Sequence, residues 1–64
     1  MKPPVAGTVY HRADGASVRV DHVSEDQVYY VAWRPGDENG APLRKTHAAF
    51  LESLEFEGME EVQL

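Results

Sequence analysis

Val28-Tyr29-Tyr30-Val31-Ala32-Trp33 is an unbroken apolar run in mid-chain, and its reading decides the fold. A strand sends alternate side chains to opposite faces. Val28, Tyr30 and Ala32 therefore point one way, and Tyr29, Val31 and Trp33 the other. One face can fill the core of a small β protein. The other must be covered as well, or it is a sticky surface. A chain of 64 residues has little material for a second cover, so a binding surface on this strand becomes an expectation.

Working outward, the neighbouring segments also read as strands. Gly7 to His11 forms a first one, with Val9 and His11 on one face and Thr8 and Tyr10 on the other. Asp14-Gly15 is the strongest turn signal, because both residue types tolerate the positive φ of tight hairpin turns. From Ala16 to Val23, Val18 and Val20 alternate with Ser17, Arg19 and Asp21, the pattern of a half-buried strand. Val23 breaks that alternation, and a bulge near His22 would turn it inward. Ser24-Glu25-Asp26 is a polar turn into the strand Gln27–Arg34. Pro35 to Pro42, with two prolines, two glycines and Asn39-Gly40, excludes regular structure and predicts a mobile hairpin loop. Leu43–Thr46 is the returning strand.

His47, Phe50, Leu51 and Leu54 then recur at helical spacing, with Thr46 as candidate N-cap. Two helical turns or fewer fit there. Glu55-Phe56-Glu57 alternates again and reads as a short last strand ending at Gly58, with Met59–Leu64 as an acidic tail. Residues 1–6, with Pro3 and Pro4, read as a loose extended start. The chain is thus expected to be one mainly β domain over residues 1–64. Its expected form is a small SH3-like five-stranded barrel with one short helical turn before the last strand. The expected core is Val9, Val18, Val20, Val28, Tyr30, Leu43, Phe50, Leu54 and Phe56. A bent four-stranded antiparallel sheet with the helical turn across one face is the competing architecture.

Composition bounds the function. The chain has no cysteine, hence no disulfide, thiolate metal site or cysteine nucleophile. Hydrophobic residues at 42% with 27% charged argue for a folded domain rather than disorder. No apolar run approaches the roughly 20 residues of a membrane-spanning helix. Met1-Lys2-Pro3-Pro4-Val5 lacks the apolar stretch of a secretory signal, so a cytoplasmic protein is expected. Residues 1–45 are electrically neutral, and Glu52, Glu55, Glu57, Glu60 and Glu61 put the whole net charge of −5 into the rest. Such a balance disfavours nucleic acid, whose phosphates need neutralising cations. It suits a partner with a basic patch, or simply keeps the protein soluble.

Gly7-Thr8-Val9-Tyr10, Asp14-Gly15, Val18-Arg19-Val20, Val23, Val28-Tyr29-Tyr30, Arg44 and Phe50 together resemble a pattern in small phage and prophage proteins of unassigned function. The resemblance spans residues 7–56 and rests on fold-determining positions, so no binding or catalytic residue is carried over from it. It implies a mobile-element origin and an accessory role, such as masking a host protein in the manner of anti-CRISPR and host-takeover inhibitors.

Residues that could carry catalysis are sparse. His11, His22 and His47 lie on three predicted elements without metal-ligand spacing, and no metal or cofactor is expected. No serine stands in a nucleophile-elbow context. Glu52/Glu55 and Glu55/Glu57 pair carboxylates, but acid–base chemistry also needs a cleft that separates their pKa values, and the chain is small for one. A non-enzyme is expected. Trp, Tyr and Arg are the residue types enriched at interface hot spots. Tyr29, Trp33 and Arg34, joined by the acidic Glu52, Glu55 and Glu57, are therefore the expected protein-binding residues. Their partner would be a host or phage protein with a basic or apolar patch; a homodimer is a further option. The alternatives are a nucleic-acid-binding barrel using Arg19, Arg34, Arg44 and Lys45, and an accessory subunit of a larger complex.

Overall fold

The computed structural model describes residues 4–37 and 39–62. Five antiparallel strands and one helix follow in the order β1 (Val9–His11), β2 (Ser17–Val23), β3 (Gln27–Trp33), β4 (Ala41–Thr46), α1 (His47–Phe56) and β5 (Glu60–Glu61). The strands form one sheet in the order β4-β3-β2-β1-β5. The fold is mainly β, as expected, but the sheet stays open: β4 and β5 are its two edges, and among the described residues they do not pair.

Each hairpin has a local cause. At the first, Asp14 accepts from the Ala16 N–H and Gly15 donates to the Arg12 carbonyl. Gly15 takes φ +94°, and a Cβ there would lie 2.5 Å from the Pro35 ring, so two independent constraints demand glycine. Ser24 closes the second hairpin through its backbone N–H to the Gln27 carbonyl and its hydroxyl to the Gln27 N–H. The predicted bulge is present. Val20 pairs with Tyr30 and His22 with Tyr29, leaving Asp21 as the extra residue, after which Val23 pairs with Val28 and packs on the core.

The core lies between the sheet and α1. Val18, Val20, Val28 and Tyr30 from the sheet meet Phe50 and Leu54 from the helix. The Phe50 ring centre is 4.9 Å from that of Tyr30 and 6.1 Å, edge-on, from that of Tyr10. Thr46 caps the helix as expected, its hydroxyl accepting from the Ala49 N–H. Next to it, the His47 Nε2 donates to the Ser24 carbonyl at 2.9 Å and ties the helix start to the β2–β3 turn.

Several expectations are corrected. The segment Glu55-Phe56-Glu57 is not a strand: α1 runs to Phe56, and the last strand falls at Glu60–Glu61, within the expected tail. The reason is Gly58, whose left-handed φ of +68° ends the helix in a Schellman motif. There Met59 N–H bonds the Leu54 carbonyl, Gly58 N–H bonds that of Glu55, and Met59 packs on the core. Phe56, expected inside, is 88% exposed, and Leu43, on an edge strand that α1 only partly covers, is 46% exposed. On β1 the inward residue is Tyr10 and not Val9, because Tyr10 pairs with core-facing Val18. Ala16 joins the buried set instead. β4 begins at Ala41, so Pro42 belongs to the edge strand and not to the loop. Pro4 is buried. Residues 1–3 of the expected loose start, Glu38 of the expected mobile loop and residues 63–64 of the expected tail lie outside the described residues.

Candidate functional site

Alternation along β3 places Val28, Tyr30 and Ala32 against the helix layer and Tyr29, Val31 and Trp33 on the reverse of the sheet. Among the described residues no helix or strand covers that reverse face. Register assigns its other members. Arg19 stands opposite Val31 and beside Val9, Pro42 follows Val31 on β4, and Ser17 stands opposite Trp33. One row along, His22, Tyr29 and Arg44 cross the sheet in line. The His22 ring stacks on Tyr29 at 4.2 Å with an 11° tilt, so one side of the Tyr29 ring is already occupied.

Two shallow depressions mark this face. One, of about 330 Å³, is lined by Asp21, His22, Tyr29, Val31, Pro42 and Arg44. The other, of about 160 Å³, lies between Arg19, Val31, Trp33 and the turn at Asp37, Asn39 and Gly40. Val31 is common to both, so they adjoin. Tyr29, Val31 and Trp33 are half-buried, while Arg19, Pro42 and Arg44 are exposed. Neither Arg19 nor Arg44 has an ion-pair partner among the described residues. Exposed carboxylates share this face: Asp21 sits 3.4 Å from His22 Nδ1, Asp37 accepts from the Asn39 and Gly40 N–H groups, and Glu60 stands opposite His11.

The expected site residues are therefore divided between two layers. Tyr29 and Trp33 are on the open sheet face. Trp33 stands at the end of its strand and also borders a groove of about 390 Å³ on the helix side, where Arg34, Leu43, Lys45 and Leu54 are found. Glu52 and Glu55 project from the helix into solvent. Glu57 is occupied within the fold. With Asp14 it receives Arg12, whose Nε and Nη2 reach the Asp14 oxygens at 2.9 Å while Nη1 donates to Glu57. That guanidinium lowers the Asp14 carboxyl to about 2 and pins the β1–β2 turn to the helix end. Burial, helped by Glu61, raises the Tyr10 hydroxyl above its ordinary range.

The chain matches no family model, no curated protein and no solved structure. Among the described residues no cluster of three His, Cys, Asp or Glu side chains could hold a metal ion. No helix among them is long and apolar enough to cross a membrane. Arg19, Val31, Pro42 and Arg44 are among the members of the face that the expected binding set lacked. Parity alone put Val31 beside Tyr29 and Trp33, whereas Arg19, Pro42 and Arg44 could be assigned to the face only once register paired the strands.

Proposed function

We propose that this protein is a protein-binding module that acts by occupying a partner's surface, and that the open face of its sheet makes the contact. The single observation that supports this is the apolar band Tyr29–Val31–Trp33, which no second layer covers among the described residues, framed by two arginines without ion-pair partners there. Half-buried aromatic and aliphatic side chains beside exposed guanidinium groups are the usual make-up of an interface centre and its rim. In this proposal the meander with a helix before its last strand is an opened relative of SH3-like barrels. The resemblance to small phage and prophage proteins makes a host protein the partner, masked rather than modified.

Affinity capture from a bacterial lysate tests this with wild type beside Tyr29→Ala and Trp33→Ala. A partner held by wild type and lost with both variants supports the reading, provided the variants stay folded by circular dichroism. The same partners recovered with all three proteins overturn it.

A further inference from the structure

We propose that two copies of the chain pair through their helix layers, each seating Phe56 in the groove of the other. The groove is the one of about 390 Å³ on the helix side of the sheet.

Phe56 and the groove each lack a counterpart within one chain. Phe56 is 88% exposed, more than Val5 or Leu43, the other large hydrophobic side chains left exposed among the described residues. Leu43, on the helix side of β4 opposite Tyr30, borders the groove. Behind it the floor reaches the core itself, where Tyr30, Phe50 and Leu54 line the groove. A cavity of about 150 Å³ is enough to admit benzene. The groove therefore has room for a phenylalanine ring.

The ring and the groove lie on one patch. Ser53 and Glu57 form the helix wall of the groove. Phe56 adjoins both, since it directly precedes Glu57 and helix residues three apart are surface neighbours. A helical phenylalanine leans back toward the N-terminus, here along the flank of Ser53. Its exposure means that it does not fill its own groove.

This adjacency selects the occupant. In a two-fold interface the same patch serves both copies, so it must be complementary to itself. An axis beside Ser53 brings each Phe56 to the other copy's groove and covers both features at once. An unrelated partner with a single apolar anchor would fill the groove and leave Phe56 in water.

The charges on the patch are also of both signs, as self-pairing requires. Arg34 and Lys45 border the groove on the strand side, and neither is in an ion pair among the described residues. Glu52 and Glu57 belong to the helix side. Rotation about the axis lays the helix side of one copy over the strand side of the other, carboxylate toward cation. Asp37 is the one carboxylate lining the strand side, and Arg12 is held by Asp14 and Glu57.

Burying a phenylalanine removes about 150–250 Å² from water. Two rings with the walls that receive them come to on the order of 1,000 Å², the low end for a specific interface. The dimer is correspondingly weak, with a Kd on the order of 100 µM, and well below that concentration the chain is monomeric. Both open sheet faces stay free, so the pairing is independent of the function proposed for them.

Sedimentation equilibrium of the full chain between about 5 and 500 µM brackets that Kd, with Phe56→Ala, Leu43→Lys and Tyr29→Ala beside wild type. A monomer–dimer equilibrium without larger species is the expected result. Phe56→Ala and Leu43→Lys should each weaken it roughly tenfold or more, as loss of a central anchor does. Both residues are exposed, so the variants keep the fold, which circular dichroism checks. Tyr29→Ala, on the opposite face, should leave the dimer within about twofold of wild type. A monomer throughout the range overturns the inference, as does a dimer that Phe56→Ala leaves intact. A dimer lost with Tyr29→Ala and kept by Phe56→Ala moves the contact to the open face. Growth beyond the dimer means a contact that does not close on itself, and overturns the mutual exchange. Capture of a partner through Tyr29 and Trp33 is a separate readout, so failure here leaves that reading standing.

Discussion

Phe50 is 1% exposed and sets its ring against Tyr10 and Tyr30, whereas Phe56, later on the same helix, is 88% exposed. Truncating a fully buried Phe costs about 3–5 kcal/mol, and a single core in so short a chain supplies only about 3–5 kcal/mol of net stability. Phe50→Ala should therefore be largely unfolded at room temperature by circular dichroism. Phe56→Ala should stay within about 0.5 kcal/mol of wild type in urea titration. The acid limb of stability turns on Asp14. Arg12 lowers its carboxyl from 3.8 to about 2 in the folded protein. The folded state thus holds the charged form more tightly than the unfolded chain does. This stabilisation is complete above the unfolded value and disappears as pH falls toward 2. Between those limits wild type should lose stability more steeply than Asp14→Asn, as followed by thermal unfolding across a pH series.

At the scale of elements, the helix and the last strand depend on one another. Gly58 lets the chain turn out of α1 in a left-handed residue, so that Met59 folds back on the core and Glu60–Glu61 reaches the edge of β1. Gly58→Ala leaves the backbone in a conformation that a Cβ penalises by about 1 kcal/mol. The expected outcome is a fall of several degrees in melting temperature, with weaker protection of the Val62 amide, which donates to the Val9 carbonyl, in hydrogen exchange. Sequence pattern misleads at this same junction. Glu55-Phe56-Glu57 alternates like a strand, yet three residues are too few to outweigh a helix already begun at a capped Thr46 and closed by a glycine. Leu54…Gly58-Met59, an apolar pair around a C-terminal glycine, is the better signal. The bulge at Asp21, by contrast, was legible, because Val23 could reach the core in no other register.

For the whole molecule, Glu52 and Glu55 stand on the helix layer, while the open face carries Arg19 and Arg44 together with Asp21 and Glu60. Glu52→Lys/Glu55→Lys changes the helix layer by four charges without touching the open face. It should leave both the fold and partner retention within about twofold of wild type, measured by circular dichroism and by titration of the captured partner. Loss of the partner would mean that the helix layer also makes contact.

Strand parity, turn chemistry, the helix cap and most of the core follow from the sequence alone, since each depends on neighbours a few residues apart. Val18, Val20, Val28, Tyr30, Phe50 and Leu54 announce themselves by period, and Asp14-Gly15 and Thr46 by local backbone chemistry. Pairing partners depend on contacts distant in the chain, and those only the tertiary structure decided. It left the sheet open, turned Phe56 outward, drew Glu57 to Arg12, and placed Arg19 and Arg44 on the aromatic face away from Glu52 and Glu55. Net charge is a sum over residues, but a partner meets one face at a time, and only the folded chain determines which charges share it.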